Sequence, residues 1–370
     1  MPPHRMRLLS SVLHIGALVS AAMCAACSAT VTAAPPNPIA TLKFARPVSA
    51  NPDRADATLA FLAEDKIALR YCSPFDWQDR ATRRCWLEVV ALVSGKLDVT
   101  AETETIEKPT WTHGVFAVAD GSILVTSGTV QYLYSADLKE RREVPIANLH
   151  APAPRGNVAG ANGPGPPDRQ DRWTLYRLSP ILLPIREGRG LLYDVSDDYV
   201  MYVADGAVRV ETLEGKLVGI HNLNKGEYYV PEFIGPDRLY LRGTRHAVAD
   251  FNGRELLALQ VPGGYGSRER HSADGTRMLF DYFVQTKKLW QQQPGEGPVV
   301  PIPNGADGEM IWVVETTNAG ICFEWNSLDH LLGMVGRVHA DLSPSGRLLA
   351  AVTTTGLSVY EIPETCTANK

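Results

Sequence analysis

The chain has 370 residues, a formal net charge of -5, 45% hydrophobic residues and 21% charged residues. This apolar content excludes a wholly disordered chain, and the length excludes a minimal domain that folds only with metal or disulfide staples. The acidic balance lacks the chain-wide basic surface that nucleic acid requires, so no nucleic-acid partner is expected.

Residues 1–29 read as an export signal, not as fold. His4, Arg5 and Arg7 form a positive start, Leu8 to Met23 an apolar stretch, and small residues follow. Cleavage after Ala29, Ala33 or Ala34 fits this pattern. So does lipid attachment at Cys27, because Cys24-Ala25-Ala26-Cys27-Ser28 is similar to a bacterial lipobox. Residues 30–38 then form a Pro-rich linker or tether, and 39–366 a single domain. The expected location is the bacterial periplasm or cell envelope, or the medium. No later apolar run is long enough for a membrane span.

Thr41 to Val48 is strand-like and stands before the first repeat. Short runs of period-2 alternation follow, separated by turn residues, as in antiparallel strands. The first unit runs from about Ala57 to Glu104, with strands at Thr58–Leu62, Lys66–Tyr71, Cys85–Val93 and Leu97–Glu102. The second runs from about His113 to Ile146 and contains the hairpin signal Asp120-Gly121. Residues 148–172 break the rhythm with Pro152, Pro154, Pro164, Pro166 and Pro167 and read as a long mobile loop. Trp173 to Ile185 returns to strand character and reads as part of a divergent unit.

Three clear units come next, at Leu191–Leu223, Tyr228–Val261 and Arg270–Ile302. The last of these is expected to include strands at Lys288–Trp290 and Val299–Ile302. A less regular sixth unit is expected at Met310–Val314 and Gly320–Trp325. The last unit is His339–Ile362. Unit starts fall near 58, 114, 190, 229, 270, 310 and 338, and three consecutive intervals are about 40 residues, one four-stranded blade each. No helix-length segments alternate with the strands, which excludes a βαβ architecture. The expected fold is all-β: a β-propeller of four-stranded antiparallel blades, seven favoured over six. Thr41 to Val48 would complete the last blade and so close the ring.

The closing unit resembles a blade of the WD40 or TolB-type propellers. The likeness rests on Gly336, His339, Ser343-Pro-Ser-Gly-Arg347 and Gly356-Leu-Ser-Val-Tyr360, with His271-Ser-Ala-Asp-Gly-Thr-Arg277 as a looser copy. The unit ends in Val359-Tyr360-Glu361 where WD40 repeats usually end in Trp-Asp. The resemblance implies architecture only, because propellers serve many functions.

Four cysteines lie beyond the signal: Cys72, Cys85, Cys322 and Cys366. An even number in an exported chain favours disulfides over free thiols, and three pairings are open. Cys72–Cys85 is favoured because it would clip a polar loop. Cys322–Cys366 would then tie the chain end to an internal strand. No metal site is expected, since the one CxxC pair, Cys24 and Cys27, sits in the signal and no histidine cluster accompanies the other cysteines.

No GxSxG elbow, HExxH pair or P-loop is present, and no cofactor is expected. His221, His246, His271, His330 and His339 fall near blade boundaries. His339 is expected to make a structural hydrogen bond, with Asp341 as its partner. Between Cys72 and Cys85, Phe75 and Trp77 mix with Arg80, Arg83 and Arg84, the make-up of a protein-binding patch. The tryptophans read as packing between blades. The expected function is therefore an exported, non-catalytic propeller that binds a protein or envelope component or serves as a scaffold. The alternative is a propeller enzyme, either a hydrolase or a redox subunit like quinoprotein β chains, with a site in a central funnel of carboxylates, histidines or arginines.

Overall fold

A computed structural model describes residues 37–46, 57–73, 82–107, 113–127, 130–146, 149–150, 152–163, 172–222, 228–243, 246–259, 268–284, 308–326, 339–352 and 356–367. The segment expected to be an export signal, with Cys27, and Phe75, Trp77, Arg80, His330 and Gly336, lie outside these residues.

Short apolar runs build the strands, continuous where both faces are buried, as in Leu348–Val352, and alternating with polar residues where one face meets water, as in Lys96–Glu107. Strand β1 (Ala40–Lys43) comes first and pairs with the end of the chain. The first sheet is β2 (Ala57–Ala63), β3 (Lys66–Cys72), β4 (Arg83–Val93) and β5 (Lys96–Glu107). The second is β6 (His113–Ala117), β7 (Ile123–Ser127), β8 (Val130–Tyr134) and β9 (Arg141–Glu143). The third holds β10 (Val158–Asn162), β11 (Arg172–Arg177) and β12 (Leu183–Arg189). The fourth is β13 (Leu191–Val195), β14 (Tyr199–Ala204), β15 (Ala207–Thr212) and β16 (Leu217–His221). The fifth is β17 (Tyr228–Ile234), β18 (Arg238–Gly243), β19 (His246–Ala249) and β20 (Glu255–Leu259). The sixth is β21 (Arg268–His271), β22 (Arg277–Val284), β23 (Gly308–Glu315) and β24 (Ile321–Asn326). The seventh is β25 (His339–Leu342), β26 (Leu348–Val352) and β27 (Gly356–Glu361), completed by β1.

Each sheet is an antiparallel meander, and the core lies between the sheets. One apolar cluster fills the boundary between each sheet and the next, from first–second through sixth–seventh. Another joins seventh to first. Seven sheets joined in this cyclic order form a closed seven-bladed β-propeller. No described helix is long and apolar enough to cross a membrane.

The third blade reaches four strands in a looser way. Leu149 bridges Ala161 on the edge of β10 away from β11, and the His150 N–H donates to Gly160 O. Pro152 and Pro154 then remove the N–H donors that a regular ladder needs. The stretch expected as a loop thus contributes an inner edge and β10. Val158-Ala-Gly-Ala-Asn162 hides its strand character because its residues are small. At Gly160 there is no room for more, since a side chain there would overlap Leu192 of the next blade.

The expected sixth unit is not a blade of its own. Gly308–Glu315 and Ile321–Asn326 are the outer strands of the blade that begins at Arg268. β22 and β23 pair without a break from Arg277↔Glu315 to Val284↔Gly308. Residues 285–307 separate them in sequence, and that long separation imitates a blade boundary. The strands expected at Lys288–Trp290 and Val299–Ile302 lie outside the described residues. The total of seven holds because the third blade replaces the misassigned sixth unit.

Closure follows the expected route, with pairing at Ala40–Lys43 rather than Thr41–Val48. Ala40 faces Val359 and Lys43 faces Gly356. A side chain on Gly356 would overlap the Leu42 carbonyl, so glycine lets β1 approach. The closing motif has a physical basis. Ser343 Oγ accepts the Leu348 N–H, and Ser272 Oγ the Arg277 N–H, each across a hairpin. Gly346 and Gly275 hold those hairpins at φ 69° and 67°, where L side chains are disfavoured. Cys72–Cys85 and Cys322–Cys366 are both disulfide-bonded. The first joins facing residues of β3 and β4. The second ties β24 to the chain end, beside the Ile321–Thr367 bridge.

Candidate functional site

The inner strands end around a central cavity of about 460 Å³. Every blade contributes to its wall. The first supplies Ala60 and Phe61, the second Val115 to Ala117, and the third Pro152 to Arg155. The fourth supplies Asp194, and the fifth Glu232 and Phe233. The sixth supplies Arg270, His271 and Ala273, and the seventh Asp341, Leu342 and Pro344. Aromatic rings, prolines and charges of both signs thus meet in one space.

The two aspartates do the same structural task. Asp341 Oδ2 accepts the Phe61 N–H at 2.8 Å, linking the seventh blade to the first. Asp194 Oδ2 accepts the Phe233 N–H at 2.7 Å, linking the fourth to the fifth, and its Oδ1 accepts the Val195 N–H at 2.8 Å. Burial pushes the Asp194 carboxyl up to about 6, against the pull of those N–H groups. Burial also raises Asp341, opposed by the charge of Arg270, the Phe61 and Leu342 N–H groups and the charge of Arg155.

The cations are held differently. Arg270 places its guanidinium carbon 5.6 Å from the centre of the Phe116 ring. Arg155, from the third blade, donates from Nε to Leu62 O of the first at 3.2 Å. Burial lowers its pKa, opposed by the nearby charges of Glu64 and Asp341. Glu64 itself holds the seventh-blade hairpin through the Ser345 N–H at 2.6 Å and hydroxyl at 2.9 Å. His271 directs Nδ1 at Ser272 O, 2.8 Å away, which assigns the proton to Nδ1, and burial keeps the ring below its ordinary pKa.

The residues expected from sequence are spread out. Asp341 lies in the channel wall. His339 pairs with Val352 through β25 and β26. Arg83 is buried at the start of β4, and burial lowers its pKa to about 10. Arg84 is exposed and lies 3.5 Å from Glu104. Phe75, Trp77 and Arg80 are outside the described residues. Behind the Cys72–Cys85 bridge, buried Arg70 donates to Glu107 at 2.6 Å. Burial would raise the Glu107 carboxyl, but Arg70 and the hydroxyls of Ser127 and Thr105 hold it below the ordinary range.

His221 is buried between blades, and His246 lies 2.5 Å from the Tyr240 hydroxyl. Among the described residues, no group of three or more His, Cys, Asp or Glu is placed to hold a metal ion.

Sequence reasoning missed Asp194, Glu232, Arg270, Arg155 and Phe116 as a group. One signal was available: Asp194-Val-Ser196 repeats Asp341-Leu-Ser343 at the end of an inner strand.

No family model matches the chain. No curated protein matches it either. Among solved structures it is similar to Kluyveromyces lactis Hsv2, at 11% identity over 68% of this chain and 75% of that chain, with a TM-score of 0.39. It is also similar to Saccharomyces cerevisiae Sqt1, at 9% identity over 90% and 100%, with a TM-score of 0.44. A third is U3-55K, at 10% identity over 85% and 100%, with a TM-score of 0.43. The propeller assignment stands on the strand order and the cyclic core, and no function passes from these proteins to this one.

Proposed function

We propose that this chain is an exported, non-catalytic propeller whose channel recognises a protein or envelope component. The observation that carries this reading is the cavity of about 460 Å³ where all seven blades converge with aromatic, proline and charged side chains. Its size and mixed lining suit ligand binding. Export is supported by the amino-terminal signal pattern and agrees with two disulfides. Lipid attachment at Cys27 would keep the propeller at the envelope.

The converging carboxylates, arginines and histidine also meet the condition for a funnel enzyme. The engagement of the aspartates favours binding over catalysis. Both Asp194 oxygens and Asp341 Oδ2 accept backbone N–H groups that link or order the inner strands. A general base needs a carboxylate free to take up a substrate proton.

Capture from an envelope extract on immobilised protein tests the reading. A partner retained by the wild type and lost with Arg270→Glu supports it. Turnover of ester, glycoside or peptide substrates that Asp341→Asn abolishes in a folded variant replaces it with the enzyme. Fusing residues 1–38 to alkaline phosphatase tests export, and activity confined to the cytoplasm would remove that part.

A further inference from the structure

The cavity of about 460 Å³ falls within the roughly 300–1,000 Å³ of small-ligand pockets. A folded surface cannot enter such a space, whereas a chain end can. The two charge signs inside it are not equally engaged. Asp194 and Asp341 already accept backbone N–H groups, and Glu232 has an interaction of its own. Arg155 uses Nε on Leu62 O, which orients its guanidinium, and Arg270 lies over Phe116. Among the described residues, neither guanidinium is hydrogen-bonded to a carboxylate.

Planar guanidinium forks are suited to carboxylates. The surrounding phenylalanines and prolines suit an apolar side chain. A phosphate fits less well, because its second negative charge would face Asp194, Glu232 and Asp341. We propose that the channel binds the C-terminal carboxylate of an extended peptide through Arg155 and Arg270, with an apolar last side chain against Phe61, Phe116 and Phe233. This rests on the reading of the channel as a binding site.

The charged and titratable groups facing the ligand are Arg155, Asp194, Glu232, Arg270, His271 and Asp341. Burial raises the two aspartates. As pH rises through about 6, Asp194 gains negative charge near the ligand. Affinity for a carboxylate therefore falls between about pH 5 and 7.

The test uses the full mature chain and arrays of hexapeptides with an apolar last residue. One array carries free acids and a second the same sequences as C-terminal amides. A third is amidated with an internal aspartate. The expected result is a set of free-acid peptides that bind at least tenfold tighter than their amides. These should lose at least tenfold with Arg270→Gln or Arg155→Gln, in variants whose melting temperatures match the wild type. Two substitutions keep the test open if one variant fails to fold. Equal binding of acids and amides overturns the carboxylate assignment while leaving the channel as a binding site. Equal binding of the amidated aspartate peptides overturns the chain-end assignment. No binding in any array overturns the proposal, and the channel reading then stands or falls with the envelope capture.

Discussion

Asp194 uses its two oxygens on two backbone N–H groups, and burial decides how it titrates. Its carboxyl rises to about 6, against about 3.9 in an unfolded chain. Between those values the folded protein keeps a proton that the unfolded chain has released. The contribution of this group to stability is therefore fully present below about pH 4 and lost as pH rises through about 6. Asparagine carries no charge at either pH but can accept through only one oxygen. Relative to wild type, Asp194→Asn should gain unfolding free energy between pH 4.5 and 7, measured by urea denaturation. A difference that does not change with pH contradicts this account of Asp194. Such a residue was partly legible in the sequence, because Asp-Val-Ser repeats the Asp-Leu-Ser of the closing unit. Arg155 was not legible as a site residue, because its reach to Leu62 exists only once the ring has closed.

At the scale of strands, short apolar runs bounded by turn residues made most elements readable: strands buried on both faces, such as β3, β19 and β26, read as nearly continuous apolar runs, and outer strands such as β5 alternate. One strand, β10, was missed, and two, β23 and β24, were placed in the wrong blade, for opposite reasons. β10 is made of small residues, and at Gly160 the space is filled by Leu192 of the next blade. β23 and β24 have strong apolar runs, but residues 285–307 detach them in sequence from their partner β22. The closing strand depends on one close approach. Gly356→Ala would drive a methyl group into the Leu42 carbonyl, and overpacking of this kind costs about 1–3 kcal/mol. The variant should melt at lower temperature and self-associate in size-exclusion chromatography as the β27 edge opens; an unchanged monomer would show that β1 tolerates the displacement. The disulfides act on the same scale. Replacing both Cys322 and Cys366 by serine removes a 44-residue closure and should cost about 4 kcal/mol, whereas the 13-residue closure of Cys72–Cys85 should cost about 3 kcal/mol. Denaturation of the two double variants checks both the size and the order of these losses.

For the whole molecule, closure and recognition are linked. The ring that packs each blade against the next also brings residues from Phe61 to Asp341 to one cavity. The repeat pattern announced the ring, and the expectation of seven blades held although one boundary was misplaced. Beyond the Asp-x-Ser repeat of Asp194 and Asp341, which side chains would share the channel was not legible, because the other blades carry Phe, Glu or Arg there without a common motif. The binding account is tested most directly by a photo-crosslinking amino acid placed at Phe116 in the channel and, separately, at Ile106, which is 70% exposed on the outer strand β5. In intact envelopes, the Phe116 position should give a discrete adduct that Arg270→Gln suppresses, and the Ile106 position none. An adduct from Ile106 alone would contradict recognition through the channel.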